Sequence, residues 1–383
     1  MNPFIHTFSI VVNITGEELG ILLKRYRWID LKKSYKGDYY NYSIIEFCKN
    51  GLQMQIRKRI EEEVTYDEKH DQFQIELVVT PYKLLHPGKS MGAITTVEDM
   101  GKALITLGKI LEQIKIDTGI NLVSDASNVQ KYKIQRVDLT CDVETPSDDY
   151  SKEIIAASKV AKLPYGYTRC DVSKDDIEMY GWKRDDACSF YNKNQDVYIK
   201  IYNKKENLKG KEEYEEYLNR GLIRYEISML RDNLKKQGNL LKDKLGECLR
   251  KIMDSAKSLF DKYIISNLHE LSMVSFPILK KFLKRYMNGK KKTLEKMLRL
   301  CKIAYECKKT ETVFNAEQCG ISEVQFKNCY MKFAELGVSP IPAKEELPYI
   351  PATESMLNSK IEEKIAYFAR KKTRGKEIWG LDE

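Results

Sequence analysis

The residues best placed to do chemistry are acidic and lie in two short runs. In Arg136-Val137-Asp138-Leu139-Thr140-Cys141-Asp142, strand alternation puts Asp138, Thr140 and Asp142 on one face and Val137, Leu139 and Cys141 on the other. Two carboxylates on one strand face repel each other unless a positive group stands between them. A divalent metal with oxygen ligands would serve, and so would a nearby Arg or Lys. In Arg224-Tyr225-Glu226, Glu226 offers a third carboxylate. Paired strands lie about 4.8 Å apart, so three such groups could meet on one ion if the two segments are neighbours. A further strand, Asp196–Asn203, carries Tyr198, Lys200 and Tyr202 on one face. Lys200 or Lys204 could hold a phosphate, a task suited to a compact ammonium; the alternative is aromatic packing with lysines at the rim. The four histidines show no His-x-His pair, and no GxxxxGK[ST] run supports ATP-driven chemistry.

Strands must position these residues, and period-2 and β-branched runs mark them at Phe4–Ile14, Tyr40–Phe47, Leu52–Arg59 and Phe73–Thr80. Helices are expected at Glu17–Tyr26 and Val97–Thr118. The order then restarts: strand Lys133–Val143, helix Lys152–Lys162, strands Ala187–Tyr191, Asp196–Asn203 and Leu222–Leu230, then a long helix. The segments 62–71, 124–130 and 164–184 read as loops. The pattern predicts an α+β chain of two similar antiparallel-sheet units, residues 1–125 and 126–270, of which only the second holds the acidic cluster.

From Lys235 onward the spacing is helical. Leu245, Leu249, Ile252, Ala256, Leu259 and Tyr263 alternate by four and three and share a helix face. An all-helical basic region is expected over 271–340, and a charged tail over 341–383. Within the former, Thr312–Gln318 and Glu323–Leu336 are expected as two helices around a Cys319–Ser322 turn, with Ser322 as N-cap and Gly337 as terminator. Such a pair is either a helix-turn-helix, with Gln325, Lys327 and Asn328 on its second helix, or a plain helical hairpin.

The net charge is +9. Between Lys280 and Lys309 there are twelve Lys/Arg against Glu295 and Glu306. A one-signed run of this length favours an anionic partner, above all nucleic acid, over a merely solvated helix face. Lys280, Lys281, Lys284, Arg285, Lys290, Lys291 and Lys292 are its densest part, and Arg136 and Arg224 flank the carboxylates. No run approaches a membrane span, and the start reads as a strand rather than a secretory signal. Nine scattered cysteines without CxxC pairs fit reduced thiols in a cytoplasm.

In order and spacing, R-V-D-L-T-C-D, I-Y-N-K-K-E-N-L-K, L-I-R-Y-E-I-S-M-L-R and the late G-I-S-E-V-Q-F-K-N-C-Y-M-K-F-A-E-L-G-V resemble rolling-circle replication initiators. The resemblance is to the Rep_trans-type plasmid initiators and the gene II/X-type proteins of filamentous phages, and covers roughly Phe73 to Val338. It implies a fold like the HUH endonucleases, here without the His pair. It also implies an enzyme that nicks origin DNA and stays joined to the 5′ phosphate through a tyrosine. On this likeness Asp138, Asp142 and Glu226 would bind Mg²⁺ or Mn²⁺, and Tyr263, the first tyrosine after Glu226 in the helix that follows, would be the nucleophile unless it only extends the core face. The expected setting is a prokaryotic cytoplasm. The partners would be double- and single-stranded origin DNA and a host helicase, with the chain a monomer or homodimer. A conjugative relaxase and a non-enzymatic DNA-binding regulator are the rival readings.

Overall fold

A computed structural model describes residues 3–30, 41–58, 72–161, 166–170, 187–265, 271–347 and 349–350. The loop expected over 62–71, most of that over 164–184, and the tail beyond Ile350 lie outside the described residues.

The chain is mixed α/β and built on one large antiparallel sheet. The first half supplies β1 (Phe4–Thr15), α1 (Gly16–Arg25), β2 (Trp28–Asp30), β3 (Asn41–Ile44), β4 (Leu52–Lys58), β5 (Gln72–Val79), α2 (Pro81–Leu85) and α3 (Val97–Thr118). The second supplies β6 (Arg136–Thr145), α4 (Asp148–Val160), β7 (Tyr167–Cys170), β8 (Ala187–Asn192), β9 (Val197–Asn203), β10 (Gly221–Met229), α5 (Arg231–Lys236) and α6 (Leu245–Phe260). The strand order is β2-β3-β4-β5-β1-β6-β10-β9-β8-β7. Thus the halves do not form separate sheets. β1 pairs with β6 at the centre, and outward from that seam each half runs from its last strand back to its second. The edge strands β2 and β7 escaped the sequence pattern, and β7 falls inside a segment read as loop. At three and four residues they are too short to display an alternation.

The sheet has one apolar and one polar face. Val137, Leu139, Cys141 and Val143 of β6 share the apolar face with Ile223, Tyr225, Ile227 and Met229 of β10, all buried. Burying each large aliphatic side chain contributes roughly 1.5–3 kcal/mol. α6 lies over this face, with its Phe260 ring edge-on to Tyr225 at 6.2 Å between centroids. The opposite face carries the acidic residues.

The C-terminal region contains α7 (Phe276–Tyr286), α8 (Lys291–Thr310) and α9 (Glu323–Glu335). It is not wholly helical, since Met273–Val274 pair with Tyr349–Ile350. The helix expected over Thr312–Gln318 is not formed either. Phe314 N–H instead bonds the Val160 carbonyl at 2.9 Å, and the Asn315 side chain takes the Gln318 N–H at 2.9 Å. Asn side chains compete in this way with helical backbone bonds. α9 does form where expected: Ser322 Oγ accepts from Gln325 N at 3.3 Å, and Gly337 ends it at φ 69°. The region is moored to the sheet half by Lys308 of α8, whose ammonium donates to the buried Glu153 carboxylate of α4 and to the Pro342 carbonyl. No described helix is long and apolar enough to cross a membrane.

Candidate active face of the sheet

The register of four strands sets the polar face out as a grid. One row runs Lys200–Glu226–Thr140–Phe4 across β9, β10, β6 and β1. A second runs Tyr198–Ser228–Asp138–Thr7, and a third Tyr202–Arg224–Asp142. The register of β1 shifts between Ile5 and Thr7. This bulge gives His6 no place in the ladder and puts its Nε2 3.1 Å from an Arg224 guanidinium nitrogen. Bulges commonly re-aim a side chain beside a functional site.

Within the grid the charges are closely matched. Arg224, fully buried, holds Asp142 bidentately, Nε to Oδ1 at 2.5 Å and the terminal nitrogen to Oδ2 at 2.6 Å. Lys200 Nζ donates to Glu226 Oε1 at 3.0 Å, and the Tyr202 hydroxyl stands 3.5 Å from Glu226 Oε2. Thr7 Oγ1 donates to Asp138 Oδ2, and Arg136 pairs with Asp138 at 3.5 Å and with Glu76 at 3.4 Å. Asp138 Oδ1 and Thr140 Oγ1 are buried with no hydrogen-bond partner.

These surroundings shift the titrations in opposite directions. Burial pushes Asp138 above the usual aspartate range, and the Glu226 charge adds to it against Arg136. Burial works the same way on Glu226, but the charge and hydrogen bond of Lys200 outweigh it and hold the carboxyl low. Burial, then the Glu226 charge, raises the Tyr202 phenol. Burial, then Arg224, lowers His6 well below the ordinary histidine value. The same two causes, in the same order, bring Lys204 down to about 7.

Asp138, Glu226, Lys200 and Asp142 therefore share the face as the alternation requires. Asp142, however, is engaged by Arg224, and among the described residues no three His, Cys, Asp or Glu side chains stand together closely enough to hold a metal ion. Arg224 and Arg136 are cations inside the face rather than projecting contacts. Tyr263 is on the other side of the sheet. It follows α6, which packs on Tyr225, and its hydroxyl accepts from Asn233 Nδ2 at 2.9 Å and Gln237 Nε2 at 2.8 Å. Its helical spacing shows that it faces the sheet but not which face. Two residues of the site were not singled out from sequence: His6, placed by a bulge with no sequence signature, and Tyr202, whose strand position was visible but equally suited to packing.

Away from the sheet, Lys280, Lys281, Lys284, Arg285, Lys290, Lys291 and Lys292 are all exposed around the α7–α8 corner. Gln325, Lys327 and Asn328 are exposed on α9.

No protein-family model matches the chain, and no curated protein matches it. Among solved structures, a rolling circle replication initiator protein from Geobacillus stearothermophilus aligns over 66% of this chain and 79% of that one, at 11% identity and a TM-score of 0.26.

Proposed function

We propose that this chain is a DNA nicking–joining enzyme that starts rolling-circle replication, with Tyr202 as its nucleophile. The observation that carries the reading is the Tyr202 hydroxyl 3.5 Å from Glu226, on a polar face that also holds the buried Asp138, Lys204 and Arg224 and the half-buried Lys200. Buried charge of this density adds little to stability and is characteristic of a working site. In the proposed step, the Tyr202 oxygen attacks a backbone phosphorus as its proton passes to Glu226. The P–O3′ bond breaks, the 3′ oxygen leaves and takes up a proton, and the 5′ phosphate stays on the tyrosine. That phosphodiester keeps the energy of the broken bond, so religation needs no ATP. Arg224 and Lys204 lie on the same face to receive the phosphate charge.

For Mg²⁺ or Mn²⁺ the oxygens this face has left to offer are Asp138 Oδ1, 3.5 Å from Arg136 Nε, and Thr140 Oγ1, which has no hydrogen bond among the described residues. One or two carboxylates completed by water and phosphate suit these hard cations. Such an ion would polarise the scissile phosphate. Asp142, clamped by Arg224, is a positioning residue in this reading. The exposed cations of α7 and α8 would track the duplex around the origin.

Incubation of supercoiled origin DNA with the chain and Mn²⁺ tests the class. A nicking enzyme gives open circles and covalent protein–DNA adducts, whereas shifted mobility alone would identify a DNA-binding regulator.

A further inference from the structure

The end of the polar face around Arg224 holds more cations than carboxylates. Arg224 is matched by Asp142, yet the Lys204 ammonium, on a side chain only 7% exposed, has no acceptor among the described residues. A cation on a largely buried side chain with no acceptor beside it can take an anionic partner in a charge-assisted hydrogen bond. The His6 ring stands beside the same guanidinium. Lys83 and Lys211 are close enough to add to the positive potential there.

A pocket of about 440 Å³ opens at this end, and Phe4, Ala93, Asp142, Glu144, Tyr217 and Leu222 are among its lining residues. Its lining residues Leu222 and Phe4 neighbour the backbone of Lys204 and the ring of His6. The Leu222 carbonyl accepts the Lys204 N–H at 2.8 Å, and the Phe4 ring meets His6 edge-on at 6.4 Å.

We propose that this end of the sheet is a nucleotide subsite, in which Lys204, Arg224 and His6 hold one phosphate and the Phe4–Tyr217 pocket takes the attached base. The phosphate supplies the acceptor that Lys204 lacks, in a charge-assisted hydrogen bond. Two aromatic rings offer the stacking surface that a base extruded from a strand needs. Asp142, held by Arg224, and Glu144, whose Oε2 accepts from Arg220 at 3.0 Å, keep further lone pairs that accept hydrogen bonds and donate none, so a base with an exocyclic amino group, such as cytosine, fits better than thymine. The inference rests on the reading of the chain as a DNA-strand enzyme and adds to it a selection of one base.

Calorimetric titration of the full chain with inorganic phosphate, dCMP and dTMP tests the subsite. dCMP should bind about tenfold or more tighter than either phosphate or dTMP, and Lys204→Met should weaken all three by at least about tenfold, the scale of a hydrogen bond to a charged group. Tyr217→Ala should remove the advantage of dCMP and leave inorganic phosphate unchanged. Lys109→Met, on the exposed side of α3, should change none of them. Lys204→Met should melt no lower than the parent, because it removes an amine whose charge is disfavoured by burial and by Arg224. A lower melting point would show that the amine already has a partner, and would overturn the proposal, as would unchanged phosphate binding by Lys204→Met or equal binding of dCMP and dTMP. These titrations require no cleavage, and Tyr202→Phe should leave them unchanged, so the subsite and the nicking reaction can fail separately.

Discussion

Glu226 sits between Tyr202 and Lys200, its Oε2 3.5 Å from the phenol and its Oε1 3.0 Å from the ammonium. One carboxylate thereby contacts the phenol proposed as nucleophile and is itself held ionised by a lysine on the same strand as that phenol. Lys200 and Tyr202 are two residues apart and flank Glu226 from β9.

Glu226→Gln keeps the shape of this contact and removes its charge. Nicking should fall by about 10²–10⁴-fold, the usual weight of a positioned acid or base, while binding of duplex DNA in a mobility-shift assay stays close to the parent. Equal nicking by the variant would remove Glu226 from the site.

Arg224→Met leaves Asp142 buried without its bidentate partner. Breaking a buried ion pair by deleting one side costs about 3–5 kcal/mol, and the urea midpoint should fall accordingly. The double variant Arg224→Met/Asp142→Leu should recover most of that loss. If the single variant unfolds at the parental midpoint, the pair is not the anchor described.

The stability of the folded chain should depend on pH through Lys204. Its folded value of about 7 lies below the ordinary 10.5, so between these limits the unfolded chain binds the extra proton. Stability therefore rises with pH across that window, and the penalty is fully present below pH 7. Lys204→Met should be stabilising by a few kcal/mol near pH 6, on the order of 1.4 kcal/mol for every tenfold difference in proton affinity between the folded and unfolded chain, and nearly neutral above pH 10. Denaturant melts of parent and variant at several pH values measure the difference; a gap that does not close with rising pH would contradict the assignment.

How far the site was legible depended on which periodicity carried it. Period-2 alternation in 136–142 placed Asp138 and Asp142 on one face and made Glu226 a third carboxylate if its strand was a neighbour; the register pairs the two strands and adds Arg224, expected as a DNA contact, to the same face. Alternation cannot report which side of a sheet a later helix covers, so the spacing through Tyr263 was equally compatible with the wrong face. Nor does it announce a bulge, where an extra residue interrupts the ladder, so His6 stayed hidden. Over Thr312–Gln318 the apolar spacing was outweighed by the Asn315 side chain and by the bond from Phe314 to Val160, a partner 154 positions away in the chain.

Removal of the whole C-terminal region is a poor test of its exposed cations, because it strips Lys308 from the buried Glu153. Lys290→Ala/Lys291→Ala/Lys292→Ala leaves that pair intact. Binding should weaken uniformly across DNA sequences, and the slope of log K against log salt should shrink by about 0.9 for each phosphate that is no longer neutralised. An unchanged slope in fluorescence anisotropy would place the DNA elsewhere.

The most direct measurement is the identity of the tyrosine that carries DNA after cleavage. The chain is reacted with origin DNA and Mn²⁺, digested with nuclease and protease, and the nucleotide-bearing peptide is sequenced by mass spectrometry. A single adduct on Tyr202 is expected, absent in Tyr202→Phe and present in Tyr263→Phe. An adduct on Tyr263, or one that survives Tyr202→Phe, would contradict the assignment.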